Sequence, residues 1–500
     1  MSTCERVTGL SSSFLANTLR AAREQEDFSF HMPGHKGGRG AHSILHSVVG
    51  SAALLADQSA IGGCELMHAA RGPLADAQAR AARLFGAQAT HFLVNGATVG
   101  NIAALTAVLG DGDRVLMMRA SHRSAYAGVI LSGARPVYID SVYDAAAGGH
   151  FGLDLDRARR ALEHDRAIHA IHITRPGPHG LCFDLAPLTA LARRYEVPLI
   201  VDEAYGAHFA FHPSLPTSAL RAGADLVVHS AHKTLAALTQ ASLLHVGPRA
   251  RVDAERVGTT LGMLQSSSPS ALLLVSLDVA CVQMADQGRD LCARAIAFAD
   301  EARERINAIA GLYCYGAEMV GRAGIAAFDP TKLVIDVRGL GISGFTARAW
   351  LVANQRVRPE FCDLARIVCS ITLGDTDESV RALVDALAAL SASMSNLERK
   401  RDRRKGGAMS AVLEWRGPAP TMAMTPRAAT QARARTIALA GAVGEVCAEF
   451  VIPQPPGIPM LVPGEVIRRE DVAAIERLAS NGCAIVGLAD ADARSLRVVA

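Results

Sequence analysis

Aromatic residues are scarce. The 500-residue chain holds 14 Phe, 7 Tyr and 2 Trp, 5% of its length, although half of it is apolar. Its core is therefore expected to be built from Ala, Val, Leu and Ile rather than from rings. Charge of one sign is also missing. With 51 basic and 48 acidic residues the net charge is +3, too balanced for a protein whose main task is gripping nucleic acid. No run of about 18 uncharged apolar residues occurs, which argues against a membrane span. Met1 to Leu15 has neither the basic start nor the apolar stretch of a secretory signal. The ten cysteines stand without a Cys-x-x-Cys pair and read as reduced thiols in a cytoplasm. No internal repeat is evident. What remains is an enzyme-like profile, with roughly three domains expected at about 150 residues each.

Between about Ala75 and Ala280, short apolar runs alternate with amphipathic ones. The pattern predicts strands at His91–Val94, Arg114–Met118, Pro136–Ile139, Ala170–Thr174, Leu199–Val201 and Asp225–His229. Helices are predicted at Gly100–Leu109, Ser124–Ser132, Leu155–His164 and Pro187–Tyr195. Such alternation implies right-handed crossovers and a mainly parallel sheet. A long helix, Pro269–Ala310, leads into a smaller α+β unit with strands Lys332–Val337 and Ile367–Leu373 and helices Phe345–Val352 and Asp377–Ser391. The basic run Leu397–Gly407 and the Pro-bearing stretch Gly417–Thr425 read as a solvated helix end and linker rather than an anion-binding patch. In the C-terminal module, Pro453–Gly464 interleaves Ile458, Met460, Leu461 and Val462 with prolines. That favours a docked loop over a ligand for an SH3-type partner.

Four segments carry candidate chemistry. Lys233 follows the apolar strand ending at His229, in the text Ser230-Ala-His-Lys-Thr234. A partly desolvated Lys there loses preference for its charged form and can act as a nucleophilic amine, for example by Schiff-base formation; a surface Lys on a turn is the alternative. Asp202 ends the strand Leu199-Ile-Val-Asp202, at the crevice where open α/β sheets bind ligands. A carboxylate there can keep the ring nitrogen of pyridoxal phosphate protonated, or it can simply cap the next helix. In Val94-Asn-Gly-Ala-Thr98, Gly96 permits close backbone approach and the helix start offers free N–H groups to a phosphate. His122 follows another strand and can stack on a cofactor ring or serve a structural role. His31 and His35, like His42 and His46, are four apart, a metal-ligand interval on a helix. Pro33 and Gly34 interrupt the first pair and the second lacks a carboxylate, so no metal is expected.

The order phosphate turn, His, Asp, Lys resembles the aspartate-aminotransferase-like (fold type I) enzymes that use pyridoxal phosphate. Further blocks narrow the resemblance: Phe30-His-Met-Pro-Gly-His-Lys-Gly-Gly38, Ser268-Pro-Ser270, Ser276-Leu-Asp278, Asp329–Asp336, Leu373-Gly-Asp-Thr376, Pro455–Pro459 and Pro463-Gly-Glu465. As a set they are similar to the bacterial Orn/Lys/Arg decarboxylase family, in its short form without an N-terminal wing domain. The resemblance implies an α/β fold with a mainly parallel, seven-stranded-type sheet covered by helices on both faces, plus a smaller α+β domain and a C-terminal α+β module. The corresponding divisions are residues 1–74 as an N-terminal segment contributing to the active site, 75–295 as the cofactor-binding domain, 296–395 as the small domain, 396–425 as a linker and 426–500 as the last module.

The same resemblance implies pyridoxal phosphate as cofactor and decarboxylation of arginine or lysine, less so ornithine, to CO₂ and a polyamine-type amine through a carbanion. Lys233 would form the Schiff base, Asp202 pair with the ring nitrogen and His122 stack on the ring. Gly96, Ala97, Thr98, Tyr205, Ser230 and His232 would complete the cofactor pocket, with His232 or Lys233 as proton donor. His35, Lys36, Arg366 and Glu465 are candidates to face substrate, Glu465 at its cationic end; Lys36 is also a rival for the Schiff base, but no strand precedes it. At least a homodimer is implied, in the cytoplasm, acting on a small amino acid and not on nucleic acid or membrane. Some text departs from the family. Ala97 stands where Ser is usual, Asp57-Gln-Ser-Ala60 replaces Asp-x-Thr-Glu, Cys64–Ala70 is altered, and Thr174–Gly180 lacks the usual tyrosines. Alternatives are transamination or another carbanion reaction, with Arg366 clamping a carboxylate, and a non-catalytic regulator on the same fold.

Overall fold

Short runs rich in Val, Ile and Leu form the central strands: β1 (Ala89–Leu93), β2 (Arg114–Met118), β3 (Arg135–Ile139), β4 (Ile168–Thr174), β5 (Leu199–Asp202), β6 (Leu226–His229) and β7 (Ser242–Val246). β5, β6 and β7 are buried along their whole length, which is why β5 and β6 read as largely continuous apolar runs rather than alternating ones. The computed structural model describes residues 13–24, 30–59, 70–144, 149–398, 420–454, 457–490 and 492–500. It divides into two units, Met1–Val108 with Pro198–Cys292, and Leu109–Val197 with Ala293–Ala500. Within the first unit the strand order is β1-β7-β6-β5, and within the second it is β4-β2-β3.

In the first unit β5 and β6 are parallel, and β7 runs antiparallel to both β6 and β1. The carboxyl ends of β1, β5 and β6 therefore share one edge of its sheet. β7 is the one strand the sequence pattern left unassigned there. The helix Gly96–Val108 lies tight on these strands: a Cβ at Gly100 would come within 2.8 Å of Leu93 Cδ1 and Val228 Cγ1. Ser13 and Leu15 are fastened by Asp278, which accepts hydrogen bonds from Ser13 Oγ at 2.6 Å and the Leu15 amide at 3.0 Å and forms a fully buried ion pair with Arg80. Asp278 lies on the helix Ala271–Asn307. That helix is long and apolar enough to cross a membrane by length and composition alone, a test that a core helix also passes. A buried Asp–Arg pair within it fits a core helix of a folded domain.

In the second unit β2 pairs in parallel with both β3 and β4. A four-stranded antiparallel sheet, Tyr313–Cys314, Lys332–Asp336, Arg366–Ser370 and Phe361–Cys362 in spatial order, packs with the helices Gly344–Gln355 and Asp377–Glu398. Its core is mostly Leu, Ile, Val and Ala, with three cysteines, Cys314, Cys362 and Cys369. Residues from Leu439 to Val498 form a further apolar cluster around Cys447, Ile467 and Ile475. Most of the basic run Leu397–Gly407 and the altered stretch Cys64–Ala70 lie outside the described residues.

Candidate active site

The first unit brings Asp202, Lys233 and the Gly96 turn to the shared carboxyl edge of β1, β5 and β6. Gly96 adopts φ +76°, a left-handed conformation that favours glycine, and opens the helix Gly96–Val108, whose first N–H groups have no partners within the helix. Ala97 and exposed Thr98 follow on its first turn. A side chain with no earlier signal steadies this turn: Gln265 accepts from the Val94 amide at 2.9 Å and donates to the Phe92 carbonyl at 3.3 Å. Asp202 is buried, and its Oδ2 accepts from Asn101 Nδ2 at 2.8 Å. Its Oδ1 accepts from the Ala204 amide at 3.1 Å. The Ala204 bond closes a turn and caps no helix, since the next helical element begins only at Phe209; the carboxylate is aimed as well by Asn101, a residue that sequence reasoning gave no role.

Lys233 lies in the short helix Ala231–Thr234 just beyond β6, with Nζ 3.8 Å from the centre of the Tyr205 ring. Ser230, at that helix's N-cap, is buried. His232 Nδ1 is 3.1 Å from the Ala241 carbonyl, so this nitrogen carries the proton and Nε2 is the basic one. Burial lowers the His232 pKa, and the neighbouring Lys233 lowers it further against the Ala241 hydrogen bond. The ring is neutral at pH 7.

Behind these groups runs a buried polar chain. Thr90 Oγ1 is 2.8 Å from His245 Nδ1, His245 Nε2 is 3.0 Å from His229 Nδ1, and His229 Nε2 is 2.9 Å from Glu203 Oε2. Both Glu203 oxygens accept from the Ala219 amide, at 2.9 and 3.1 Å. The Thr90 hydroxyl, the two imidazoles and the Glu203 side chain thus form one continuous run of hydrogen-bond partners. The chain ties β1, β7 and β6 to the residue next to Asp202. Burial also pushes His245 well below its usual value and His91 down to about 4. An unfolded imidazole takes up its proton near 6.5. Between pH 6.5 and 4 the unfolded chain therefore binds more protons than the folded one, and stability falls as pH falls. The loss is about 1.4 kcal/mol per pH unit for each imidazole held neutral. Urea unfolding at pH 7, 6 and 5 is expected to show falling midpoints, with a shallower fall in His91→Gln; equal slopes would count against His91 as a source.

The second unit holds His122, Arg366 and Glu465, and two of them have different surroundings from those expected. His122 caps the helix Arg123–Ser132, Nδ1 accepting from the Ser124 amide at 3.3 Å, while its Cδ2–Nε2 edge faces Gly457, where an added Cβ would lie 3.7 Å away. Glu465 is not a solvated loop carboxylate held ready for a substrate's cationic end. It is fully buried, accepts from the Val462 amide at 2.9 Å and pairs with Arg119 Nη2 at 3.0 Å. Arg119 also donates to the carbonyls of Pro459 and Met460 at 2.8 and 2.9 Å and to Tyr126 Oη at 3.0 Å. Burial works against its charge, but Glu465 and the two tyrosines Tyr126 and Tyr138 outweigh it and raise its pKa. This fan of bonds docks the Ile458–Val462 loop, as its apolar residues suggested.

Arg366 is likewise not open to clamp a carboxylate. It is buried and pairs with Asp363 at 2.8 Å, which His179 Nε2 also approaches at 3.4 Å. Burial would raise the Asp363 carboxyl, but Arg366 and His179 hold it well below the usual range. In the N-terminal block, His35 Nε2 is 3.2 Å from Asp57 and its Nδ1 accepts from the Gly38 amide at 3.0 Å. Lys36 donates to the His31 carbonyl. His42 caps a helix and His46 meets the Gly38 carbonyl at 2.8 Å, so each ring has a structural partner.

Comparison with known proteins places this geometry. Residues 14–379 match the Orn/Lys/Arg decarboxylase major domain, and residues 410–481 the C-terminal domain of the same family. An arginine decarboxylase of Halalkalibacterium halodurans is 38% identical over 472 residues, 94% of each chain. The lysine decarboxylase LdcA of Pseudomonas aeruginosa is 32% identical over 289 residues, 52% of this chain and 38% of its own. In fold the chain matches the constitutive lysine decarboxylase of Escherichia coli, with a TM-score of 0.81 at 20% identity, over 98% of this chain and 82% of that one. A major-domain match across most of the chain, joined to so extensive a relative, settles its kinship: the chain belongs to the Orn/Lys/Arg decarboxylase family of amino-acid decarboxylases.

Proposed function

We propose that this chain is a pyridoxal-phosphate-dependent decarboxylase of a basic amino acid, arginine first and lysine second, releasing CO₂ and a polyamine-type amine. One observation carries the reading: Asp202 and Lys233 stand at the carboxyl ends of the adjacent parallel strands β5 and β6. The residues fit the cofactor. The Gly96–Thr98 amides at a helix start suit a phosphate, Lys233 offers an amine as attachment point, and Asp202 can keep a proton on the ring nitrogen. When bound, pyridoxal phosphate supplies an electron sink for the carbanion left by CO₂ loss. Asn101 and the Ala204 amide fix which way the Asp202 carboxylate faces. His232, neutral with Nδ1–H committed to Ala241, can hold or pass a proton at Nε2.

The names of the relatives favour arginine, carried by a chain alike over nearly its whole length; lysine has the support of a shorter match. The pairing of Arg366 with Asp363 speaks against transamination, which needs the carboxylate held rather than lost. The test measures CO₂ and keto acid in parallel with arginine, lysine and ornithine. CO₂ from arginine with the highest kcat/KM is expected, and keto acid as the main product would overturn the reading.

We infer also a homodimer. The helix Ser43–Val49 buries none of its residues, and Ile44 and Val48 are 67% and 77% exposed, a face that needs a partner. Val48→Asp is expected to shift the sedimentation coefficient towards monomer; an unchanged dimer would remove this face from the interface. All eight described cysteines are free and buried, which supports a reducing, cytoplasmic setting.

A further inference from the structure

Apart from the groups assigned so far, the second unit encloses a cavity of about 290 Å³. Its walls include Phe151, Phe183, Phe345, Phe361, Ile458 and Met460. Of the 14 Phe in the chain, four line this one space. The volume is at the small end of small-molecule sites and suits a ligand of roughly ten non-hydrogen atoms.

The charged groups at its margin are already committed, with one exception. Asp363 is occupied by Arg366 and His179, Asp140 pairs with Arg157, and Arg119 spends its donors on Glu465, Tyr126 and two carbonyls. Arg477, on the helix Arg469–Ser480, lines the cavity but makes no ion pair among the described residues. Its Nε is shielded from solvent and has no acceptor among the described residues. A shielded guanidinium N–H without an acceptor is unfavourable, and a planar carboxylate is the acceptor that matches it best.

We propose that this cavity binds an amphipathic monocarboxylate, its apolar body among the phenylalanines and its carboxylate on Arg477. A single guanidinium in apolar walls neutralises one charge, so a dianion such as a phosphate ester is disfavoured. Because Ile458, Met460 and Arg477 belong to the C-terminal module while Phe345 and Phe361 belong to the small α+β part, an occupant bridges the two and stabilises the bound form by linkage.

The test uses the full-length holoenzyme and two probes of equal shape, 3-phenylpropanoate and 3-phenylpropanamide, titrated by calorimetry with melting temperature read alongside. The acid is expected to bind at least about tenfold more tightly than the amide and to raise the melting temperature. Arg477→Gln is expected to erase that preference and Arg477→Lys to keep part of it. Ala474→Leu, which fills the lining beside Arg477, is expected to weaken both probes together. Saturating L-arginine should leave binding unchanged, and Lys233→Ala should retain it. Absence of binding at millimolar probe, equal affinity for acid and amide, a preference that survives in Arg477→Gln, or displacement by L-arginine would each overturn the proposal. The last outcome would assign the cavity to the substrate's own route and leave the decarboxylase reading standing.

Discussion

Lys233→Ala is expected to lower decarboxylation by at least about 10³-fold, since it removes both the attachment point and a candidate proton carrier. The residue sits where a strand end delivers it to the same edge as Asp202, with its amine over the Tyr205 ring. Lys36, the rival amine, donates to the His31 carbonyl in the N-terminal block, a commitment that leaves it a structural part. Borohydride reduction of the holoenzyme followed by peptide mapping separates the two. The label is expected on the peptide holding Lys233, unaffected by Lys36→Ala, and added small amines should restore part of the Lys233→Ala activity. A label on Lys36 would reverse the assignment.

The second large effect is on stability. Arg119→Ala removes four hydrogen bonds and strands a fully buried carboxylate, Glu465. Breaking a buried pair from one side costs about 3–5 kcal/mol, enough to loosen the Ile458–Val462 loop and the module behind it. Replacing both partners by apolar residues avoids the stranded charge, so Arg119→Met with Glu465→Leu should recover much of the loss. Denaturant unfolding of the single and double variants measures it. If the double variant is no more stable than Arg119→Ala, the pair is not the source of the effect.

The strands and helices of the sheet were legible because their signals are local. Arg114–Met118 and Leu155–His164 coincide with their predicted limits, and most other elements fall within two or three residues. β7 was missed because Ser242 and His245 interrupt its short apolar text, Ser-Leu-Leu-His-Val, and nothing local marks it as antiparallel. The hairpin Ser141–Asp144 with Gly149–Leu153 escaped for a similar reason, being short and partly glycine. Asp202 and Lys233 could be picked out by their strand-end context. Glu465 and Arg366 could not be placed, because burial depends on distant partners: Arg119 is 346 residues from Glu465. Asn101 and Gln265 show the same limit from the other side. Their roles exist only once Asp202 and the β1 turn are next to them, and an Asn or Gln in isolation announces neither.

The first unit is also discontinuous along the chain, which bears on how it is made. Its β1 pairs with β7, Ala89 opposite Val246, and its opening residues Ser13 and Leu15 bond to Asp278, more than 260 positions later. At roughly 5–20 residues per second on the ribosome, the early segments wait on the order of ten seconds to a minute before their partners emerge. During that interval β1 and the start of the helix Phe14–Glu24 are nascent chain with unmet apolar faces. The exposure time of those faces is set by the rate of synthesis, so slowing translation is expected to lower the soluble yield more steeply than it lowers total synthesis.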